Sequence, residues 1–89
     1  MISVRIRGRR IGVLVKKLRS GNYGEFSRPD GPICLEPRQS GKEFLDTVIH
    51  EGLHARFEDA EMSHVEVART SGDLTRLLWA MGYRKVEVK

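Results

Sequence analysis

Apolar and polar positions alternate strictly at the start of the chain, in the order Ile2-Ser3-Val4-Arg5-Ile6-Arg7. A period of two marks a strand with one buried face. Gly8-Arg9-Arg10 reads as a tight turn, and residues 11–18 as a second strand paired with the first in a hairpin. Ser20-Gly21-Asn22-Tyr23-Gly24 breaks the alternation and reads as a loop. Arg28-Pro29-Asp30-Gly31-Pro32 is a stronger turn, since proline fixes φ and glycine permits positive φ. Ile33-Cys34-Leu35-Glu36 follows as a short strand stopped by Pro37.

The period then changes. Ser40 with Glu43 three residues later is a capping box that opens a helix. Phe44, Leu45, Val48, Ile49, Leu53 and Phe57 recur at helical spacing to about residue 57. Ser63 with Glu66 is a second capping box. Val67, Ser71, Leu74, Leu78 and Met81 then mark one face of a long helix closed by Gly82. Lys85-Val86-Glu87-Val88 reads as a final short strand. The predicted fold is α+β: a small antiparallel sheet packed on two helices, in one domain over 1–89, with 1–39 mainly sheet and 40–84 the two helices.

With 89 residues the chain is one small domain. It buries roughly 60% of the surface its unfolded form exposes, so a bound metal would help to hold it together. A hydrophobic content of 39% beside 31% charged residues is that of a globule, not of a disordered chain. No stretch approaches the roughly 20 apolar residues needed to span a bilayer. Residues 1–10 lack the apolar run of a secretory signal. The single cysteine, Cys34, makes no internal disulfide. These features predict a cytoplasmic protein with no membrane partner.

Charge is uneven. Residues 1–28 carry eight basic residues against the single acid Glu25, whereas residues 36–66 carry eight acids against three bases. A basic N-terminal hairpin can steer nucleic acid or an acidic protein. It is also what the solvated face of a half-exposed strand looks like.

The chemistry-bearing segment is Leu45-Asp46-Thr47-Val48-Ile49-His50-Glu51-Gly52-Leu53-His54-Ala55. It places His-Glu-x-x-His inside the first predicted helix. Residues four apart share a helix face, with Cβ atoms about 5–6 Å apart. Two imidazoles so placed can converge on one zinc ion at the usual Zn–N distance of about 2.0–2.1 Å. Glu51 projects about a quarter turn away, where it can act as the base that activates a zinc-bound water. Gly52 violates helix propensity at a cost of about 1 kcal/mol. Close approach of another backbone and a tolerated defect explain it equally well.

Catalytic zinc normally takes three protein ligands. The candidates for the third are His64, Glu66, Glu61, Glu58 and Asp59. At 100° per residue, His64 lies about 60° from the centre of the second helix's apolar face and Glu66 about 100° away on the other side. His64 is therefore preferred, with Glu66 the alternative. Asp73 reads as a partner of Arg76 or as an orienting carboxylate, a role also open to Thr47 and Asp46. Trp79 reads as packing and Cys34 as a small buried hydrophobe.

The motif at residues 45–55, together with Asp73-Leu74-x-Arg76-x-Leu78-Trp79 and Gly82-Tyr83-Arg84, resembles short, often phage-encoded zinc metallopeptidase-like proteins related to the SprT and ImmA/IrrE groups. The resemblance covers roughly the C-terminal half. It implies a minimal zincin fold, His50 and His54 as ligands, Glu51 as base, and a peptide or protein substrate laid along an edge strand, here residues 33–36. Such proteins often take a glutamate from the second helix as third ligand, which keeps Glu66 beside His64. Tyr23, Tyr83 and Arg84 are the available transition-state donors. The competing reading is a zinc-stabilised binding or regulatory module that uses the basic hairpin.

Overall fold

The computed structural model describes residues 2–19 and 21–85. Four strands precede two helices: β1 (Ile2–Ile6), β2 (Arg9–Val15), β3 (Gly24–Phe26), β4 (Ile33–Leu35), α1 (Gly41–Arg56) and α2 (His64–Ala80). The expected terminal strand at residues 85–88 falls outside the described residues beyond Lys85.

β1 and β2 form the expected hairpin, with Ile6 opposite Arg9. The turn is Arg7-Gly8, one position earlier than Gly8-Arg9-Arg10. Both turn residues have positive φ, 52° and 75°. That conformation matches the twist of the flanking strands, and glycine adopts it without steric cost. Arg7 also ties the hairpin tip to the far end of α1: its guanidinium donates to the Arg56 carbonyl at 3.2 Å and pairs with Glu61.

The sheet is mixed, not antiparallel. Its order is β1-β2-β4-β3, with β4 parallel to β2 and antiparallel to β3. The chain leaves β2, lays down β3 at the outside and returns through the proline turn, so that β4 slots between them. Residues 33–36 are thus not the edge strand that the sequence suggested. β4 is buried along its whole length, and among the described residues the sheet ends on β1 and β3. Of β3, only Gly24 falls in the expected loop, and Glu25 and Phe26 carry no expectation from the sequence. Three residues are too few to display a period.

β2 ends at Val15, short of residue 18, yet Leu18 is buried. The buried Glu36 carboxylate accounts for this. It accepts from Leu18 N at 2.8 Å, from Arg38 N at 2.8 Å and from the Arg38 guanidinium. These bonds, the Arg38 side chain foremost, pull Glu36 down to a pKa of about 2.

Both capping boxes form as expected, Ser40 with Glu43 and Ser63 with Glu66. α1 packs across the sheet, and Ile11, Ile33, Leu35 and Ala55 make the core. On α2 the buried stripe runs Val67-Ser71-Thr75, rotated from the apolar line that the sequence proposed. Leu74 and Met81 are exposed. Two hydroxyls can occupy a packed stripe because each bonds within the helix, Ser71 to the Ala68 carbonyl and Thr75 to the Ser71 carbonyl. Trp79 packs near Gly41 beneath the Arg84 guanidinium. Among the described residues no helix is long and apolar enough to cross a membrane.

Candidate metal centre

α1 turns Thr47, Glu51, His54 and Ala55 inward, with His50 half-buried beside them. His50 and His54 are one turn apart, and their Nε2 atoms lie 3.2 Å from each other. Two nitrogens each about 2.0–2.1 Å from one zinc ion at a near-tetrahedral angle would stand about 3.2–3.4 Å apart. Burial is the leading cause that lowers the pKa of both rings, which favours the neutral form a metal requires. The donor pair therefore fits a zinc ion.

His64 is the first residue of α2, and its ring centroid lies 4.8 Å from that of His54. The side chain is 77% exposed, and its Nε2 is 4.0 Å from Asp59 Oδ2. Among the described residues, no three His, Cys, Asp or Glu side chains are already gathered around one point. Two imidazoles converge, and the third ring stands next to them at the surface. Glu66 is engaged elsewhere: its carboxylate closes the capping box on Ser63. Glu61 pairs with Arg7, and Glu58 and Asp59 face Arg28. Asp73 pairs with Arg76 on the outside of α2.

Glu51 is 7% exposed, and no group among the described residues donates to its carboxylate. Burial, with a smaller contribution from Glu25, lifts its pKa to about 7. Gly24, at the start of β3, lies directly against it. Two clefts meet at this point. One, of about 450 Å³, runs past Tyr23, Gln39, Thr47 and His50; the other, of about 340 Å³, runs past Arg28, Asp59, His54 and His64. Both are lined by Gly24 and Glu51.

Tyr23 lines the first cleft, whereas Tyr83 and Arg84 lie on an apolar groove on another side of the molecule. Arg28 escaped the sequence reading. It lines the second cleft, donates to the Phe57 carbonyl at 3.2 Å and pairs with Asp59 at 3.0 Å, so it braces the loop that delivers His64. Its only signal in the sequence was a cation at the edge of a proline turn. Thr47 bonds to Gln39, and Gln39 to the Tyr23 and Glu36 carbonyls, which fixes the approach of β3 to α1. Of the N-terminal cations, Arg7, Arg9 and Arg28 are engaged in ion pairs. No protein-family model, curated protein or solved structure matches this chain.

Proposed function

We propose that this chain is a zinc-dependent, metallopeptidase-like hydrolase of minimal zincin type, with His50, His54 and His64 as ligands and Glu51 as base. The observation that carries the reading is the 3.2 Å approach of two imidazole Nε2 atoms beside the Glu51 carboxylate, which lines both clefts. His50, His54 and His64 would hold a zinc ion, which would supply Lewis acidity and acidify a nearby water. Glu51, set beside the two imidazoles and lining both clefts, is suited both to take a proton on a carboxylate oxygen and to return it to a leaving group. The free edge of β3 beside Gly24 supplies backbone donors and acceptors for an extended peptide. Tyr23 and Arg28, one on each cleft, are the donors placed to face such a chain.

Metal analysis of the untagged chain and hydrolysis of an unstructured peptide mixture test this reading. About one zinc per chain is expected. Glu51→Gln should retain metal and fold while turnover falls by roughly 10²–10⁴-fold. Unchanged turnover in that variant, or a chain purified without stoichiometric transition metal, would overturn the assignment.

A further inference from the structure

The register of the β1–β2 hairpin sorts its side chains onto two faces. Ile11 belongs to the core, so Val4 opposite it shares the inner face. Arg5, opposite Arg10, then belongs to the outer face with Ser3, Gly12 and Leu14. Lys16, whose N–H still bonds the Leu35 carbonyl of β4, continues that face. Ser3, Arg5, Arg10 and Lys16 are exposed on it, and Lys17 and Arg19 are exposed just beyond.

Arg5 and Arg10 stand directly across the strands from each other, a placement of like charges that weakens a sheet. Among the described residues neither meets a carboxylate, and Arg10 donates to the Ser3 hydroxyl at 3.0 Å. Neighbouring cations that do have acids draw them from outside the hairpin, Arg7 from Glu61 and Arg9 from Asp30. Glu36 is buried against Arg38. Glu25 lies two strands from Arg10, roughly 10 Å at the usual strand spacing, and accepts from the Asn22 side chain. Residues 2–19 hold seven bases and no acid. The positions outside the described residues add one acid, Glu87, and one base, Lys89, which leaves the balance unchanged. A face that is merely solvated mixes the two signs. One that opposes like charges without an acid is complementary to a polyanion.

We propose that the outer face of the β1–β2 hairpin binds the phosphate backbone of duplex DNA without reading its sequence. The guanidinium forks of Arg5 and Arg10 match phosphate oxygens, and Lys16 adds a point charge in line with them. A duplex carries one negative charge per about 1.7 Å of its axis, so a rigid row of closely spaced cations meets a rigid row of anions. No aromatic residue precedes Tyr23, so the hairpin has no ring on which an unpaired base could stack. Leu14, the long apolar side chain of this face, is half-buried and does not offer itself to a lipid surface. The candidate metal centre lies at β3, the other margin of the sheet, and the inference does not rest on the hydrolase reading.

Fluorescence anisotropy with a short labelled DNA duplex of mixed sequence, at stepped potassium chloride concentrations, is the test. Three phosphate contacts at roughly 0.9 each predict a slope of log affinity against log salt of about −3. Arg5→Ala combined with Arg10→Ala should bring that slope to about −1 and weaken binding about tenfold or more at low salt. Its circular dichroism spectrum should match the parent's and its melting temperature should not fall, since the change removes a like-charge pair. Lys42→Ala combined with Arg69→Ala removes the same charge from exposed positions on α1 and α2 and should leave the slope unchanged. Equal losses in the two double variants would overturn the assignment to the hairpin, as would a parent that binds no duplex at low salt. Equal affinity for single-stranded DNA or for polyglutamate would overturn the choice of duplex DNA, and polyglutamate binding would give the face to an acidic protein. Chelator-treated parent should bind the duplex as well as the untreated chain, which separates this inference from the metal-centre reading.

Discussion

Gly24 lies so close to Glu51 that a Cβ at Gly24 would stand 3.0 Å from Glu51 Cγ and 3.1 Å from Glu51 Oε2. The same carbon would be 2.6 Å from Thr47 Cγ2. Edge strand and helix meet at a distance only glycine permits, and this contact holds the carboxylate at the junction of the two clefts.

Gly24→Ala should therefore cost about 1–3 kcal/mol through overpacking. In a domain of this size each kcal/mol lowers the melting temperature by roughly 4–8 °C. Thermal unfolding is the measurement. A melting temperature equal to the parent's would mean that β3 does not sit tightly on α1.

The third ligand of the proposed zinc site is tested by a pair of variants read in zinc competition assays. His64→Ala should weaken zinc binding about tenfold or more, equivalent to about 1.4 kcal/mol. Glu66→Ala should leave the affinity nearly unchanged and instead lower stability by about 0.5–2 kcal/mol through loss of its cap. The reverse pattern would transfer the ligand role to Glu66.

Two carboxyls give the metal-free protein opposite pH limbs. The pKa of Glu51 is raised in the fold from 4.5 to about 7. Its contribution is thus complete below pH 4.5 and disappears as pH rises through 7. Chelator-treated parent should lose about 1–2 kcal/mol relative to Glu51→Gln between pH 5 and 8, less than the whole shift implies because the clefts admit solvent. The pKa of Glu36 is depressed from 4.5 to about 2, so its contribution is present above pH 4.5 and lost as pH falls toward 2. Glu36→Gln should flatten that acid limb. Urea titrations at stepped pH would expose either limb, and a parent and Glu51→Gln with parallel profiles would contradict the raised carboxyl.

Local chemistry made part of this molecule legible in advance. Ser40 and Glu43, Ser63 and Glu66 announce their helices because a capping box is complete within four residues. Ile2 to Ile6 announces a strand because alternation needs no partner. The placing of β4 between β2 and β3 was not legible, since it is settled by packing between segments far apart in sequence. The α2 stripe departs from expectation after Ser71, because Thr75 bonds its hydroxyl to the Ser71 carbonyl and so packs inward although its polarity hid it from an apolar count. Spacing alone brought His50 and His54 together, whereas Arg28 required the loop at residues 57–61 to be seen against it.

Of the two readings the sequence allows for Gly52, close approach and tolerated defect, the first has no counterpart among the described residues: a Cβ there would meet nothing within 4 Å. The vacancy lies on the groove side of α1, between the two histidines along the chain. The turn that spaces the two imidazoles therefore carries a glycine with no steric reason for it. Gly52→Ala should raise the stability of the metal-free chain by about 1 kcal/mol, and calorimetry would read it directly. Under the proposed function, that glycine leaves the turn between the two zinc ligands with more backbone freedom than an alanine would give it.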